Sequence, residues 1–208
     1  MRILQISNAS AGRALLYFDG FGGSEKRAAA LPIPKDFAVF FVYDYTNEEF
    51  ALPLTGYSEL HLSAWSLGVW QAARTLVGVK LASAVALNGT LDPIDDAFGI
   101  PSAIFDATLE NWSEAARVKF NRRIGLTPEF ASDRPAELEA AELAALRSRI
   151  NGAAKVANIY ETAVVGTRDR IFSAENQIAS WRQRGLFPVE IDSPHYAWDR
   201  IESAVAYG

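Results

Sequence analysis

The segment Ala64–Gly68, with the sequence AWSLG, carries the strongest indication of the fold. The apolar run ELHLSAW precedes it, and LGVWQAARTLVG after Ser66 has helical spacing and stops at Gly78, a suitable C-cap. A sharp strand–turn–helix bend raises a serine hydroxyl above a sheet, where it can act as a nucleophile. So short a pattern also arises by chance, and Ser66 could be only a small turn residue. The catalytic interpretation therefore needs a base, an orienting acid and an oxyanion hole elsewhere in the chain.

Short apolar runs on both sides of that segment predict a sheet. They read RILQIS, ALLYFDG, AVFFVYDY, ELHLSAWS, SAVALNG, ETAVVGTRD and PVEIDS. Several are almost continuously apolar, which is typical of strands covered on both faces of a mostly parallel sheet. We expect an α/β fold of roughly seven strands, in which the first two runs form a hairpin around NASAG. The connections GSEKRAAALPIPKD and TNEEFALPLTG are too short for full crossover helices, so the flanking helices should be reduced.

Residues 105–150 have a different pattern, which indicates a helical insertion. NWSEAARVKFNRRI starts with Asn111 and a glutamate at capping-box spacing, and RPAELEAAELAALRSRI has Pro135 in its expected first turn. Strand-like patterning resumes afterwards at YETAVVG. The predicted organisation is a core formed by residues 1–104 and 151–208, with a lid inserted at 105–150.

Composition restricts the function classes. The 208 residues carry a net charge of −5, so no basic field favours nucleic acid. The chain has no cysteine and two histidines, which excludes disulfides and thiol nucleophiles and disfavours a multi-histidine metal site. No apolar run spans a bilayer, and the start lacks the pattern of a secretory signal. We expect a cytoplasmic protein without a membrane partner.

The candidate base and acid come late in the chain. His195 in DSPHYAWD directly follows the last predicted strand, whereas His61 lies on the same strand as Ser66 and cannot fold back onto it. Asp169 in VVGTRDRIF precedes His195, which gives the order Ser…Asp…His of α/β-hydrolases. An alternative acid could come from the loop after the next strand, which holds Asp92, Asp95 and Asp96.

An acyl-transfer site also needs backbone N–H groups for the developing oxyanion. Leu67 supplies one at the start of its helix. The glycines of FDGFGGS let the backbone pass close to a ligand, and the N–H of Phe21 is the expected second donor. This stretch does not match a phosphate-binding loop, because it lacks a Walker lysine–serine pair and GxGxxG spacing.

A set of longer motifs makes a family resemblance specific. LLYFDGFGGSE, HLSAWSLGVW, ALNGTLDPIDDAFGIP, FDATLENW, VKFNRR, VVGTRDRIFSAENQIASWR and IDSPHYAW resemble, in the same order, those of BioG-type proteins. These are pimeloyl-[acyl-carrier-protein] methyl ester esterases of biotin synthesis, with an atypical α/β-hydrolase fold. The resemblance covers nearly the whole chain, and it implies metal-free and cofactor-free ester hydrolysis.

The resemblance also implies residue roles. Ser66 would be the nucleophile, Asp169 the orienting acid and His195 the base, with Phe21 and Leu67 in the oxyanion hole. The chain departs from the family pattern in two places. Its elbow has an alanine where glycine is usual, and its DGFG run stands where asparagine and tryptophan are more frequent around the glycines. A backbone-built hole survives these changes, but the aromatic wall beside the acyl chain would differ in shape.

The insertion supplies the candidate substrate contacts. Trp112 and Phe120 could roof an apolar slot for the acyl chain, or they could pack the lid onto the core. An acidic carrier protein needs a cationic face, and Lys119, Arg122 and Arg123 share one side of a helix. Further cations could extend that face, namely Arg117, Arg147 and Arg149. The alternative is an ordinary solvated helix surface.

Two other functions stay open at this level. One is a broader carboxylesterase or thioesterase that uses the same triad without a carrier protein. The other is a hydrolase-like binding protein with an incomplete triad. Turnover of short aryl esters and labelling by a fluorophosphonate distinguish these from the carrier-dependent esterase.

Overall fold

A computed structural model describes residues 1–8 and 12–197 of the chain. The strands are β1 (Arg2–Ser7), β2 (Arg13–Phe18), β3 (Ala38–Tyr43), β4 (Glu59–Trp65), β5 (Ser83–Leu87), β6 (Thr162–Gly166) and β7 (Val189–Ile191). The helices are α1 (Glu25–Ala29), α2 (Leu67–Thr75), α3 (Ser102–Glu110), α4 (Glu114–Ile124), α5 (Ala136–Gly152) and α6 (Ala174–Gln183).

The strands form a 7-stranded sheet in the order β1-β3-β2-β4-β5-β6-β7. All neighbours pair in parallel except β1 and β3, which are antiparallel. The predicted mostly parallel α/β sheet is therefore confirmed. The predicted hairpin of β1 with β2 is wrong, because β2 is enclosed between β3 and β4 and leaves β1 only the outer edge of β3. Part of the expected turn, residues 9–11, lies outside the described residues.

The central strands bury their side chains on both faces of the sheet. Every residue of β3 (AVFFVY) and of β5 (SAVAL) is buried, as the continuous apolar runs predicted. Helical cover is sparse in the first half of the chain. Between β2 and β3 lies only the 5-residue α1, and β3 is joined to β4 by the loop 44–58. The expected reduction of the flanking helices is thus confirmed.

Three helices, α3 to α5, are inserted between β5 and β6, and below we call them the helical insertion. Its first helix begins at Ser102, ahead of the predicted start at residue 105. The predicted cap at Asn111 is also wrong, because Asn111 ends α3 and the side chain of Ser113 accepts the N–H of Ala116 to cap α4. The sequence suits both serine and asparagine as caps, and the end of α3 decides between them.

The parallel strands bring the candidate residues to one edge of the sheet. Ser66 follows β4, Asp169 follows β6 and His195 follows β7, so all three lie beyond the carboxyl ends of their strands. In open α/β sheets this edge is where ligands bind.

Candidate active site

Ser66 occupies a sharp turn between β4 and α2. Its backbone has φ 58° and ψ −129°, a left-handed conformation that non-glycine residues rarely adopt. The Ser66 N–H donates to the carbonyl of Leu87 at 2.9 Å, which ties the turn to β5. A Cβ on Gly68 would lie 2.2 Å from the carbonyl oxygen of Asp19, so only glycine allows α2 to approach β2 this closely. The strained turn is thus enforced by the packing around it.

A line of hydrogen bonds joins a hydroxyl, an imidazole and a carboxylate. His195 Nε2 lies 2.9 Å from Ser66 Oγ, and His195 Nδ1 lies 2.7 Å from Asp169 Oδ2. An ionised carboxylate only accepts, so Nδ1 carries the hydrogen and Nε2 is left to accept the hydroxyl proton of Ser66. All three side chains are buried. Such an arrangement can activate a serine for attack on a carbonyl carbon.

The carboxylate of Asp169 is held by several donors. Its Oδ1 accepts the backbone N–H groups of Ile171 at 2.7 Å and Phe172 at 3.1 Å. Its Oδ2 accepts the side-chain amide of Gln177 at 3.0 Å, in addition to the histidine. Gln177 is fully buried on α6, and its side chain also donates to the carbonyl of Phe172 at 2.8 Å. These contacts fix the orientation of the carboxylate toward the imidazole.

The loop that carries His195 is fastened by two residues that the sequence analysis missed. The amide of Asn88 donates to the carbonyl of His195 at 2.7 Å, and its Oδ1 accepts the N–H of Gly166 at 2.6 Å. The indole of Trp65 donates to the same His195 carbonyl at 2.9 Å. A signal for Asn88 was available, since a lone amide followed by glycine comes directly after the buried strand β5. Gln177 was also missed. The only indication in the sequence was a polar residue on the same stretch of helix as the apolar Ala174, Ile178 and Trp181.

The alternative residues have other partners. Asp92 pairs with Arg184, while Asp95 accepts the N–H groups of Ala97 and Phe98 within its own loop. Asp96 accepts the N–H of Ser102 at the start of α3 at 2.8 Å. His61 Nδ1 lies 2.7 Å from the hydroxyl of Ser83, at the opposite end of the parallel strands from Ser66. None of these described side chains contacts His195.

The expected oxyanion donors lie beside the serine. Phe21 and Leu67 line the same cavity as Ser66, and a Cβ on Gly20 would lie only 3.0 Å from the Cβ of Ser66. Within the described residues, neither the Phe21 nor the Leu67 N–H donates to a backbone carbonyl in a turn, loop or cap. The two amides are therefore available to an oxygen bound next to Ser66.

A buried ion pair supports the glycine-rich loop that carries Phe21. Asp19 Oδ2 accepts Arg27 Nη1 at 2.8 Å, and both side chains are inaccessible to solvent. Burial raises the pKa of the Asp19 carboxyl, while the Arg27 guanidinium opposes that rise. The hydroxyl of Tyr45 donates to the Asp19 carbonyl at 2.6 Å, so both the side chain and the backbone of this position are fixed.

The cavity beside Ser66 is mostly apolar. Its walls come from the core and from the helical insertion, and they include Phe21, Leu67, Ile100, Phe105, Phe120 and Leu143. Phe120 is thus placed on the cavity as the sequence analysis expected. Trp112 lies behind it, with its ring 4.7 Å from Phe21 and 5.5 Å from Phe120, and its indole N–H donates to Glu139 at 3.1 Å. The position of Trp112 therefore favours packing of the insertion onto the core.

The cations of the insertion divide into two groups. Lys119, Arg122 and Arg123 are exposed on α4, and no carboxylate of the described residues pairs with them. Arg117 instead contacts Glu114 and the buried Glu139, and it donates to the carbonyl of Arg134. Arg147 is occupied by Asp106, and Arg149 by the carbonyl of Tyr45. The structure thus removes Arg117, Arg147 and Arg149 from the expected docking face.

The described residues offer neither a metal site nor a membrane-spanning helix. Over residues 1–8 and 12–197, no three histidine, cysteine or acidic side chains are grouped so that they could hold a metal ion. In the same part of the chain, no helix is both long and apolar enough to cross a bilayer.

Comparison with known proteins identifies the family. The family model of pimeloyl-ACP methyl esterase BioG matches residues 1–206. The chain belongs to the BioG family. The crystal structure of BioG from Haemophilus influenzae has a TM-score of 0.87 and 37% identity, with 96% of each chain covered. The membership supports an esterase role for this BioG-family chain.

Two further relatives differ in what they add. A malonyl-[acyl-carrier protein] O-methyltransferase of Bacteroides fragilis is 35% identical over 194 residues, which span 88% of this chain and 39% of that protein. A lipase-esterase related protein of Clostridium acetobutylicum has a TM-score of 0.64 at 11% identity, with 99% of this chain and 96% of that chain covered. The second likeness concerns the fold alone.

Proposed function

We propose that this BioG-family chain is a serine esterase that hydrolyses the methyl ester of pimeloyl-[acyl-carrier-protein] methyl ester, in the cytoplasm and within biotin synthesis. The observation that carries the proposal is the buried line from Ser66 Oγ to His195 Nε2 at 2.9 Å and from His195 Nδ1 to Asp169 at 2.7 Å. The family supports the substrate class, because its members are described as pimeloyl-ACP methyl esterases.

In the proposed mechanism, His195 removes the proton of Ser66 as its oxygen attacks the ester carbonyl. Asp169 accepts the Nδ1 hydrogen and stabilises the imidazolium that forms. The N–H groups of Phe21 and Leu67 receive the developing oxyanion. The imidazolium then protonates the departing methoxide as methanol, and a water molecule activated by the same imidazole releases the acid.

The helical insertion would act as a lid and position the carrier. The apolar wall formed by Phe105, Phe120 and Leu143 suits a methylene chain whose ester reaches Ser66. Lys119, Arg122 and Arg123 present positive charge next to this cavity, although the chain as a whole is negative. An acidic carrier protein would therefore dock on α4.

The test uses the purified full chain with carrier-bound pimeloyl methyl ester. We expect methanol release by the wild type and a fall of at least about 10³-fold in kcat for Ser66→Ala. The matched control is Ser63→Ala, which removes another buried serine hydroxyl that has no hydrogen-bond partner within the described residues. Methanol release that persists in Ser66→Ala would refute the proposal.

The same assay separates the alternative activities. Release of the free carrier thiol without methanol would indicate a thioesterase, and equal turnover of short aryl esters would indicate a broad carboxylesterase. Complementation of an esterase-deficient biotin auxotroph by the wild type, and not by Ser66→Ala, would link the reaction to biotin synthesis.

A further inference from the structure

The cavity beside Ser66 contains positive charge that takes no part in the proposed chemical steps, and of its two arginines only Arg123 has been assigned a role, in carrier docking. Among its described lining residues, two carry guanidinium groups, Arg123 and Arg170, and none carries a carboxylate. The rest of the lining is apolar apart from Ser66 and Thr108. The charged side chains that line this cavity are thus positive, whereas the chain as a whole has a net charge of −5.

Arg123 and Arg170 differ in pairing from Arg117 and Arg168, which lie near them in the sequence. In the part of the chain that the structure describes, neither guanidinium forms an ion pair, and neither donates a side-chain hydrogen bond. By contrast, Arg168 pairs with Asp192 at 2.6 Å although it is only two positions before Arg170. Arg117 on the same helix as Arg123 is paired with Glu139 at 3.3 Å. Within the described residues, both arginines that line the cavity thus lack an ion pair, as do Lys119 and Arg122 on the exposed face of α4.

The two guanidinium groups come from different parts of the fold. Arg123 lies in the last turn of α4 in the insertion, and Arg170 follows Asp169 in the loop after β6. An anion held by both would connect the insertion to the core. A guanidinium is always charged and presents planar donors that suit a carboxylate.

We propose that Arg123 and Arg170 form a carboxylate subsite, so that the enzyme accepts carrier-free monoesters of linear dicarboxylic acids. This inference rests on the proposed function, since it places the ester end of such a molecule at Ser66. The apolar wall of Phe105 and Phe120 covers the methylene chain, and the free carboxylate meets the guanidinium groups. Hydrolysis consumes one water molecule and yields methanol, a proton and the dicarboxylate, which the same subsite retains.

The kinetic test compares two methyl esters with the same number of carbons in the acid. One is the monomethyl ester of the linear seven-carbon dicarboxylic acid, which is anionic, and the other is methyl heptanoate, which is neutral. For the wild type we expect kcat/KM to be about tenfold higher with the anionic ester. Arg123→Gln and Arg170→Gln should each lower kcat/KM for the anionic ester by about five- to tenfold and leave the neutral ester within about twofold.

The control is Arg168→Gln, which removes an exposed arginine that is already paired and does not line the cavity. This variant should leave kcat/KM unchanged for both esters. If the substitution at Arg170 distorted the neighbouring Asp169, kcat/KM would fall equally for both esters. A fall confined to the anionic ester therefore reports the loss of the guanidinium charge. Equal loss for both esters, or no loss for either, would overturn the carboxylate subsite.

A binding experiment keeps the two proposals distinguishable. The monomethyl ester is titrated calorimetrically into Ser66→Ala and into Ser66→Ala combined with Arg123→Gln or Arg170→Gln. We expect about tenfold weaker binding in each combined variant. Unchanged binding would overturn the subsite while leaving the esterase intact. Absence of any hydrolysis by the wild type would refute the proposed function, and the calorimetric comparison would still decide whether the subsite exists.

Discussion

Two buried carboxylates of this chain face different basic side chains. Asp169, at the carboxyl edge of the sheet, contacts the imidazole of His195 at 2.7 Å. Glu142, on α5 of the insertion, contacts Arg134 at 2.6 Å, and Arg134 also lies 3.1 Å from Asp44. Both carboxylates are shielded from solvent, so each needs its partner in order to carry a charge.

The two partners, Arg134 and His195, differ in whether they can transfer a proton. An arginine side chain stays protonated, so the pair of Arg134 and Glu142 can hold elements together but cannot pass a proton. An imidazole can both accept and donate a proton, so the pair of His195 and Asp169 can support proton transfer at Ser66. We infer that the first pair fastens the insertion and the second performs the chemistry.

The fastening pair also reaches the glycine-rich loop. Arg134 Nη1 donates to the carbonyl of Gly23 at 3.2 Å, and Glu142 accepts the N–H of Tyr45 at 3.0 Å. Residues 19–23 are therefore held by the insertion as well as by the ion pair of Asp19 with Arg27. Through these contacts, the pair of Arg134 and Glu142 supports the position of Phe21.

The largest effect is expected at Asp169. Asp169→Asn should lower kcat by about 10³- to 10⁴-fold, because an amide cannot stabilise the imidazolium and favours the wrong tautomer of His195. Asp92→Asn is the matched control, since that carboxylate pairs with Arg184. Steady-state methanol release measures both variants. A larger loss in Asp92→Asn than in Asp169→Asn would assign the acid to the other loop.

Breaking the fastening pair should affect stability. Arg134→Gln leaves Glu142 buried without its cation, and near pH 8 we expect the free energy of unfolding to fall by about 3 kcal/mol. Urea denaturation followed by far-UV circular dichroism measures this value. Arg122→Gln, on an exposed helix face, should change it by less than about 0.5 kcal/mol. Equal unfolding curves for Arg134→Gln and the wild type would contradict the fastening role.

The pH dependence of stability sharpens the same point. Burial raises the pKa of Glu142 from 4.5 to about 7, although Arg134 opposes the rise. Between these values the folded chain retains a proton that the unfolded chain has released, so stability falls as the pH increases toward about 7. The fall from this group should be on the order of 3 kcal/mol and should be absent in Glu142→Gln. Parallel stability profiles for the two proteins between about pH 5 and pH 8 would show that Glu142 does not titrate there.

The smallest effect is expected from the exposed cations of α4. Raising the salt concentration screens exposed charge pairs, so kcat/KM for the carrier-bound ester should fall several-fold, while kcat/KM for methyl heptanoate should stay nearly constant. Lys119→Gln and Arg122→Gln should each reproduce part of this fall at low salt. A salt response of the same size for both substrates would exclude docking on α4.

Local patterns predicted much of this arrangement. Ser66, Asp169 and His195 could be proposed as a group because each follows a predicted strand, and parallel strands bring their carboxyl ends to one edge. The family resemblance reached the same residues from longer motifs. The pairing of β1 could not be predicted in this way. The hairpin signal in NASAG is local, whereas β1 pairs with β3, a strand that follows β2 in the chain.

The supporting residues were harder to predict for a related reason. Gln177 and Asn88 act across 8 and 78 positions of sequence, on Asp169 and Gly166. The engagement of Arg117 by Glu139 likewise depends on how α4 packs against α5. A helix pattern places charges on a face but does not say which of them meet a buried carboxylate.

The most direct test of the central claim is fluorophosphonate labelling of the intact chain, with the modified peptide located by mass spectrometry. We expect a single adduct on Ser66, formed much more slowly in His195→Gln and at the wild-type rate in His61→Gln. An adduct on another residue, or labelling of Ser66 at an equal rate without His195, would contradict it.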